Sequence, residues 1–199
     1  MFLLYTPAAI VGLALTPEGL KESPVPNYGG VLISAHFLKR LFEVLFVHKY
    51  SGSMGLIDMV LVGSFGYALQ SGLLIKNARP HSLESPSSVL GLAAFVVGSL
   101  GNFYHHYLLR TLRKDGDTSK RYVVPRGGLF EYVACPHYFF EIMAWFGMAC
   151  YARDLTGYLG AMGMASYLAG RARKTTQYYH EKLPEDYPKT RKHLIPFIF

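Results

Sequence analysis

The sequence has little cysteine and no histidine pattern suited to metal oxidation chemistry. Only two cysteines occur, Cys135 and Cys150, and both lie inside apolar stretches. Neither a disulfide framework nor a cysteine zinc site can be built from them. The eight histidines show neither the HxxxH nor the HxxHH spacing that membrane di-iron oxidases need. We therefore expect no metal site.

Acidic residues are also scarce, with 13 Asp and Glu against 20 Lys and Arg, for a net charge of +7. The basic residues lie between apolar blocks and not along one amphipathic surface, which argues against nucleic-acid binding. Hydrophobic residues make up 51% of the chain, including 15 Tyr and 13 Phe. This composition is too apolar for an average soluble domain and favours a membrane protein with basic cytosolic loops.

Six apolar segments are long enough to consider as membrane spans, given that a crossing helix needs about 20 mostly apolar residues. They lie at 2–15, 29–47, 54–75, 88–109, 129–151 and 155–170. We predict an all-α multi-pass transmembrane bundle of about five or six spans. The first segment has no basic leader or cleavage site, so we expect a short or broken span there and not a signal peptide. The positive-inside rule places the basic loop 113–126 and the basic C-terminal tail on the cytosolic side.

The last apolar block contains Gly and Ala residues at close spacing from Gly157 to Ala169. Small residues of this kind suit tight helix packing in lipid. A glycine-rich dinucleotide loop would need a preceding strand, which this pattern does not predict.

Ionisable residues inside apolar blocks are costly unless they face a partner or a cavity. His36, Arg40 and Glu43 share one helical face, with Lys39 at its edge. These residues form either an internal salt bridge that fixes packing or the wall of an anion-lined cavity.

A second polar stripe contains Asn102, His106, Arg110 and Arg113 at helical spacing. It becomes more basic towards the predicted cytosolic loop, so it can admit an anionic cofactor. The alternative is that Arg110 and Arg113 only extend to the membrane interface.

A third cluster places His137, Tyr138 and Glu141 within one helical turn. A tyrosine beside basic groups can protonate an enolate, although a tyrosine at the end of an apolar helix more often only packs.

Two sets of motifs carry a resemblance to a known family. The segments 125–133 and 135–138 with Glu141, together with 185–189 and 195–197, resemble the C-terminal domain of steroid 5α-reductases. The segments 36–51 and 101–103 more closely resemble trans-2-enoyl-CoA reductases of very-long-chain fatty acid elongation and plant 3-oxo-5α-steroid 4-dehydrogenase-like proteins. The similarity covers nearly the whole chain.

The resemblance implies that NADPH binds on the cytosolic side, in a cavity between the C-terminal helices. Residues 1–80 would form the substrate side and residues 81–199 the NADPH-binding domain. Tyr138 matches the proton donor of enoyl-CoA reductases. The implied cofactor contacts are Asn102, Arg113, Tyr122, His137, Glu141, Arg171 and Tyr179. The substrate-side candidates are Tyr5, His36, Arg40 and Glu43.

The sequence departs from the family pattern at several of these positions. His137 stands where Asn is common, and the usual histidines before Tyr179 are replaced. Tyr5 and Phe37 occupy positions where steroid reductases hold a ketone with Glu and Tyr, which argues against a 3-ketosteroid substrate. We also expect that the chain lacks the first helix of steroid reductases and the ubiquitin-like domain of typical enoyl-CoA reductases.

The resulting functional prediction is a multi-pass enzyme of the endoplasmic reticulum membrane that reduces an enoyl-CoA with NADPH, together with other fatty-acid elongation enzymes. Three alternatives remain open: a steroid 5α-reductase, a membrane methyltransferase that uses S-adenosylmethionine, and a non-catalytic scaffold.

Overall fold

The computed structural model describes residues 2–21, 26–49, 55–79, 82–112 and 123–199, without the side chains of 58, 59 and 62–65. These residues are helical throughout their regular structure and contain no β-strand. The α-helices are α1 (Phe2–Leu20), α2 (Gly29–Phe42), α3 (Leu56–Leu61), α4 (Gln70–Asn77), α5 (Pro86–Thr111), α6 (Pro136–Ala152) and α7 (Leu155–Lys182). Two π-helical segments, Glu43–Val47 and Val62–Leu69, continue α2 and join α3 to α4, and Gly128–Glu131 forms a 3-10 turn. The all-helical prediction is confirmed.

Sequence signals mark the starts of two of the three C-terminal helices, α5 and α7. Ser85 caps α5 by accepting a hydrogen bond from the Ser88 N–H, and Pro86 occupies the first helical position. Asp154 caps α7 through the Thr156 N–H at 2.8 Å. Ser and Asp side chains accept hydrogen bonds from the unpaired N–H groups of a first helical turn, and proline has no N–H group that needs a partner there.

Three helix boundaries differ from the predicted segments. The first helix continues to Leu20, with Pro7 and Pro17 inside it. Helix α7 continues to Lys182, so the polar residues that follow its apolar block are helical as well. The segment predicted at 129–151 does not begin as one helix. Its first residues form the 3-10 turn, and α6 starts only at Pro136.

Helices α5 and α6 pack most closely, and glycine permits their approach. A Cβ atom at Gly98 would lie 2.5 Å from the Ala144 nitrogen, and one at Gly147 would lie 2.5 Å from the Phe95 nitrogen. Both contacts are to backbone, which cannot move aside locally. The predicted tight packing along α7 is only partly correct, since Gly163 has no atom within 4 Å of its Cβ position among the described residues.

The outer surface is strongly apolar. Leu90, Val97 and Leu100 line one stripe of α5 and are each at least half exposed, and α1 carries a similar stripe. Large exposed apolar patches are typical of membrane or protein contact. Two described helices, Phe2–Leu20 and Pro86–Thr111, are long and apolar enough to cross a bilayer. A membrane protein is therefore indicated, while the count of five or six spans stays a prediction.

The tail after α7 pairs with the segment that leads into α6. Val133 and Lys192 form a parallel bridge, and the Ala134 N–H donates to the Lys192 carbonyl at 2.8 Å. The Cys135 N–H donates to the His193 carbonyl at 3.1 Å. These bonds fix the start of α6, where the third predicted cluster lies.

Candidate functional site

The three predicted clusters meet at one end of the bundle, where α2 and α5 finish and α6 begins. We call this the site end. Glu43, Asn102 and His106 are buried there, with at most 6% of their surface exposed. Burial of so many polar groups among apolar helices requires partners for each of them.

Glu43 is the centre of the polar cluster. Its Oε1 atom lies 2.9 Å from Lys39 Nζ and 3.1 Å from His106 Nδ1, and its Oε2 atom lies 2.7 Å from Arg40 Nη1. The Arg40 side chain also donates from Nη2 to the Tyr5 hydroxyl at 2.6 Å and lies over the Tyr5 ring. The Arg40–Glu43 salt bridge predicted as one alternative is therefore present, within a larger network that reaches α1 and α5.

The π-helical turn after α2 explains how both Glu43 and His48 contact His106. In this turn the His48 N–H donates to the Glu43 carbonyl, five residues earlier, at 2.8 Å. The His48 ring then packs against the His106 ring with centroids 4.6 Å apart. Such single π turns inside helices are frequent at functional sites.

Glu43, His48 and His106 bring three metal-ligating atoms within 4.8 Å of one another. The Glu43 carboxylate, however, already contacts the ammonium of Lys39 and the guanidinium of Arg40. A divalent cation there would meet two fixed positive charges, so the charge distribution disfavours a metal.

Asn102 links the Glu43 cluster to the start of α6. Its Oδ1 atom accepts a hydrogen bond from Lys39 Nζ, and its Nδ2 atom donates to the His137 carbonyl at 2.9 Å. Both ends of the amide are thus engaged within the protein. Arg110, on the same stripe, donates to the Phe46 carbonyl in the π-helical segment after α2.

The face of α6 towards α2 carries His137, Glu141 and Trp145 at four-residue intervals. His36 Nε2 on α2 lies 3.1 Å from Glu141 Oε1, within ion-pair distance. Within the described part of the chain, four other buried polar atoms of these side chains make no hydrogen bond: His36 Nδ1, His137 Nδ1, Glu141 Oε2 and Trp145 Nε1. Unpaired buried polar atoms are rare and call for a ligand or water.

Tyr138 faces α7 and is held by Arg171. Arg171 Nε donates to the Tyr138 hydroxyl at 3.3 Å, and Arg171 Nη1 donates to the Tyr167 hydroxyl at 3.2 Å. Because the Tyr138 oxygen accepts from the guanidinium, its own proton remains available for donation to another group. The His137 and Tyr138 rings touch, with centroids 4.3 Å apart.

Tyr179 lies further along α7, outside the Tyr138–Arg171 contact. Its ring stacks on Tyr187 with centroids 5.1 Å apart and an interplanar angle of 11°. Arg191 lies over the other ring, that of Tyr187, and donates to the Pro125 carbonyl at 2.9 Å. The two remaining predicted cofactor contacts, Arg113 and Tyr122, lie outside the described residues.

Aromatic side chains close the site end on its deeper side. The Phe37 ring lies 5.5 Å from Tyr67 and 6.2 Å from Trp145, and the Tyr5 ring lies 5.6 Å from Tyr67. Phe37 and Trp145 are at most 1% exposed. This wall separates the charged cluster from the apolar core of the bundle.

A groove of about 680 Å³ runs between α1 and α4 on the outer surface. Its lining residues, which include Val11, Gly72 and Leu73, are almost all apolar. None of them belongs to the predicted site, so this groove does not correspond to the predicted cofactor cavity.

Comparison with known proteins identifies the family. A profile of the 3-oxo-5-alpha-steroid 4-dehydrogenase family matches residues 55–199. The chain belongs to this family. A very-long-chain enoyl-CoA reductase of Dictyostelium discoideum is 34% identical over 175 residues, covering 84% of this chain and 56% of that protein. The 3-oxo-5-alpha-steroid 4-dehydrogenase 1 of Rattus norvegicus is 46% identical over 113 residues, covering 57% of this chain and 42% of that protein.

A plant member of the 3-oxo-5-alpha-steroid 4-dehydrogenase family matches the full length of this chain. It is the steroid 5-alpha-reductase DET2 of Gossypium hirsutum, 34% identical over 211 residues, covering 100% of this chain and 80% of that protein. The chain thus spans about half the length of the first two relatives and most of the third. Members of the family are oxidoreductases that act on CH–CH groups.

Two buried polar side chains of this 3-oxo-5-alpha-steroid 4-dehydrogenase family member were not singled out from sequence. Trp145 packs in the hydrophobic core, but its indole N–H makes no hydrogen bond among the described residues. Arg191 belongs to a charged tail, yet only 4% of its surface is exposed, and it contacts Tyr187 and the Pro125 carbonyl. For Trp145, the helical spacing from His137 and Glu141 was the available signal.

Proposed function

We propose that this protein reduces an activated carbon–carbon double bond in a lipid substrate with NADPH, and that the substrate is a trans-2-enoyl-CoA. The observation that carries the proposal is the Tyr138–Arg171 contact, which leaves the phenolic proton ready for transfer. A 4-en-3-one steroid is the second candidate, because the family includes reductases of both kinds.

The residues at the site end fit a dinucleotide with a carboxamide-bearing ring. Glu141 Oε2 can accept from the carboxamide, and His137 Nδ1 is a second unpaired polar atom on the same helix face. The exposed guanidinium of Arg171 is a suitable phosphate or ribose ligand. Tyr179 and, by resemblance, Arg113 and Tyr122 would complete the binding site, while Asn102 acts by positioning His137. NADPH supplies the hydride.

The protein residues provide three further actions in this mechanism. The Glu43 cluster holds Lys39 and Arg40 in place, so that they present fixed positive charge next to Tyr5 and His36. The aromatic wall excludes water from the reacting double bond. Tyr138 donates its proton to the α-carbon after reduction at the β-carbon, and general acids of this kind contribute about 10²- to 10⁴-fold.

The proposal also assigns a cellular location to the protein and a role to each part of the chain. Residues 1–80 would supply the substrate side and residues 81–199 the cofactor side, in the endoplasmic reticulum membrane with the site end facing the cytosol. Other enzymes of fatty-acid elongation would deliver the substrate.

The deciding experiment measures NADPH oxidation by detergent-purified protein with trans-2-hexadecenoyl-CoA and, separately, with a 4-en-3-one steroid. Tyr138→Phe should lower kcat on the enoyl-CoA by about 100-fold or more while leaving the Kd for NADPH within a factor of about two. Tyr107→Phe, which changes a half-exposed tyrosine of α5, is the matched control.

Three other outcomes would redirect the proposal. Turnover of only the steroid would replace the substrate, and steroid turnover insensitive to Tyr138→Phe would remove Tyr138 from the mechanism. Absence of NADPH binding would favour a scaffold or, if S-adenosylmethionine binds, a methyltransferase.

A further inference from the structure

Trp145 is the only tryptophan of the chain and lies deeper in the bundle than the proposed cofactor contacts. It follows His137 and Glu141 on one face of α6, at successive spacings of four residues. With a rise of about 1.5 Å per residue, each step along this face is about 6 Å. A group bound one step beyond Glu141 would therefore meet the indole ring.

The indole N–H of Trp145 is a hydrogen-bond donor without an acceptor in the described part of the chain. The side chain is 1% exposed, and no acceptor for Nε1 is found among the residues that the structure describes. A buried donor without a partner costs about 1–3 kcal/mol, and an indole N–H can only donate. Stability does not explain an unpaired donor at this place.

The surroundings of the indole specify what kind of acceptor fits. The rings of His36, Phe37 and Tyr67 have centroids 5.7, 6.2 and 6.4 Å from that of Trp145. The Glu141 carboxylate lies one helical turn away, with one oxygen unpaired. A neutral carbonyl oxygen on an apolar molecule suits this compartment of aromatic rings, whereas burying a free carboxylate there would cost its hydration.

We propose that Trp145 is a catalytic residue that donates a hydrogen bond from its indole nitrogen to the carbonyl oxygen of the substrate. The inference rests on the proposed function and specifies its substrate class as a conjugated thioester or ketone, not a free enoic acid. When hydride adds to the β-carbon, the double-bond electrons move towards the carbonyl oxygen, and the indole N–H stabilises the charge that develops there. The Tyr138 proton then goes to the α-carbon, which completes the addition of two hydrogens.

The test compares Trp145→Phe with Met148→Leu. Phenylalanine keeps an aromatic ring but removes the donor, and Met148, also fully buried on α6, reports the cost of repacking alone. Loss of one donor to a developing oxyanion costs about 10²- to 10³-fold in kcat. We expect that Trp145→Phe falls in this range with an unchanged Kd for NADPH, that Met148→Leu stays within about threefold, and that Trp145→His recovers part of the rate because imidazole can donate.

The wild-type protein offers a second readout, since all its tryptophan fluorescence comes from this residue. Hexadecanoyl-CoA, which has the carbonyl but no double bond to reduce, should shift or quench the emission saturably, and hexadecanoic acid should not. Equal activity of Trp145→Phe and Met148→Leu, or unchanged emission at hexadecanoyl-CoA concentrations that calorimetry shows to saturate binding, would overturn the assignment. Failure of wild-type turnover would count against the proposed function instead, and the fluorescence titration would still decide whether a carbonyl compound binds at Trp145.

Discussion

Replacement of Glu43 by glutamine tests whether the buried network is as dependent on one carboxylate as the contacts indicate. Glutamine keeps the shape and removes the charge. The two cations at 2.9 and 2.7 Å then lose their shared counter-charge in a site where Glu43 is 0% exposed. Breaking a buried ion pair by removing one partner costs about 3–5 kcal/mol.

The expected loss of unfolding free energy can be measured as a decrease in the melting temperature. For a chain of this size, about 1 kcal/mol corresponds to about 2–4 °C, so Glu43→Gln should lower Tm by about 6–20 °C. A dye that fluoresces on reacting with thiols suits the measurement, because Cys135 is 1% exposed in the folded protein and becomes accessible on unfolding. Glu181→Gln, at an exposed position near the end of α7, is the control and should change Tm by less than about 2 °C.

A second substitution distinguishes lost charge balance from lost shape. If the stranded cations cause the loss, Lys39→Met added to Glu43→Gln should restore part of the Tm, because one unpaired charge is removed. A Glu43→Gln protein as stable as Glu181→Gln would refute the reasoning, and so would a double variant that is less stable than Glu43→Gln alone.

Three further predictions concern helix packing and the tail. Gly98→Ala should prevent the close approach of α5 to α6, since its Cβ would lie 2.5 Å from the Ala144 nitrogen, and should reduce the monodisperse yield in size-exclusion chromatography, whereas Gly163→Ala should leave the yield unchanged. Arg191→Gln should release the tail from the Pro125 carbonyl and speed tryptic cleavage after Lys192, while Lys189→Gln should not protect or expose that site. The Gly127 N–H holds the pKa of Glu131 below its usual value, so this carboxylate contributes stability above its unfolded pKa of about 4.3 and loses it as pH falls through the lower folded value. The protection factor of the Gly127 amide, which is the intrinsic exchange rate at a given pH divided by the observed rate, should therefore fall in the wild type as pH drops through the folded pKa of Glu131, and it should show no such pH dependence in Glu131→Gln.

The sequence predicts helix starts that local chemistry sets more closely than one that a tertiary contact sets. Ser85 with Pro86 and Asp154 mark α5 and α7, because their signals lie within a few residues of the helix start. The start of α6 carries Pro136 at the first helical position but no side-chain cap, and the apolar residues before it led to an earlier predicted start. Residues 129–133 are apolar enough to continue a helix, but Val133 pairs with Lys192, which is far away in sequence.

The same distinction applies to the candidate site. Arg40 and Glu43 could be placed on one face because helical spacing is regular, and their pairing is local. The π-helical turn that brings His48 to His106 has no sequence signature. Asn102 was predicted as a direct cofactor contact, yet hydrogen bonds from and to other helices occupy both ends of its amide. Those partners come from α2 and α6, so helical spacing could not reveal them, and the direct cofactor contact stays a prediction.

The pairing of Lys39 and Arg40 with Glu43 inside a single helix also bears on biosynthesis. The three residues lie within two turns of one another, so the Glu43 carboxylate can offset one of the two positive charges as soon as that helix forms, before α5 has been synthesised. A nascent segment that lowers its own net charge enters a bilayer more readily than one that must wait for a partner. His106, contributed about sixty residues later, then joins an ion cluster that is already assembled.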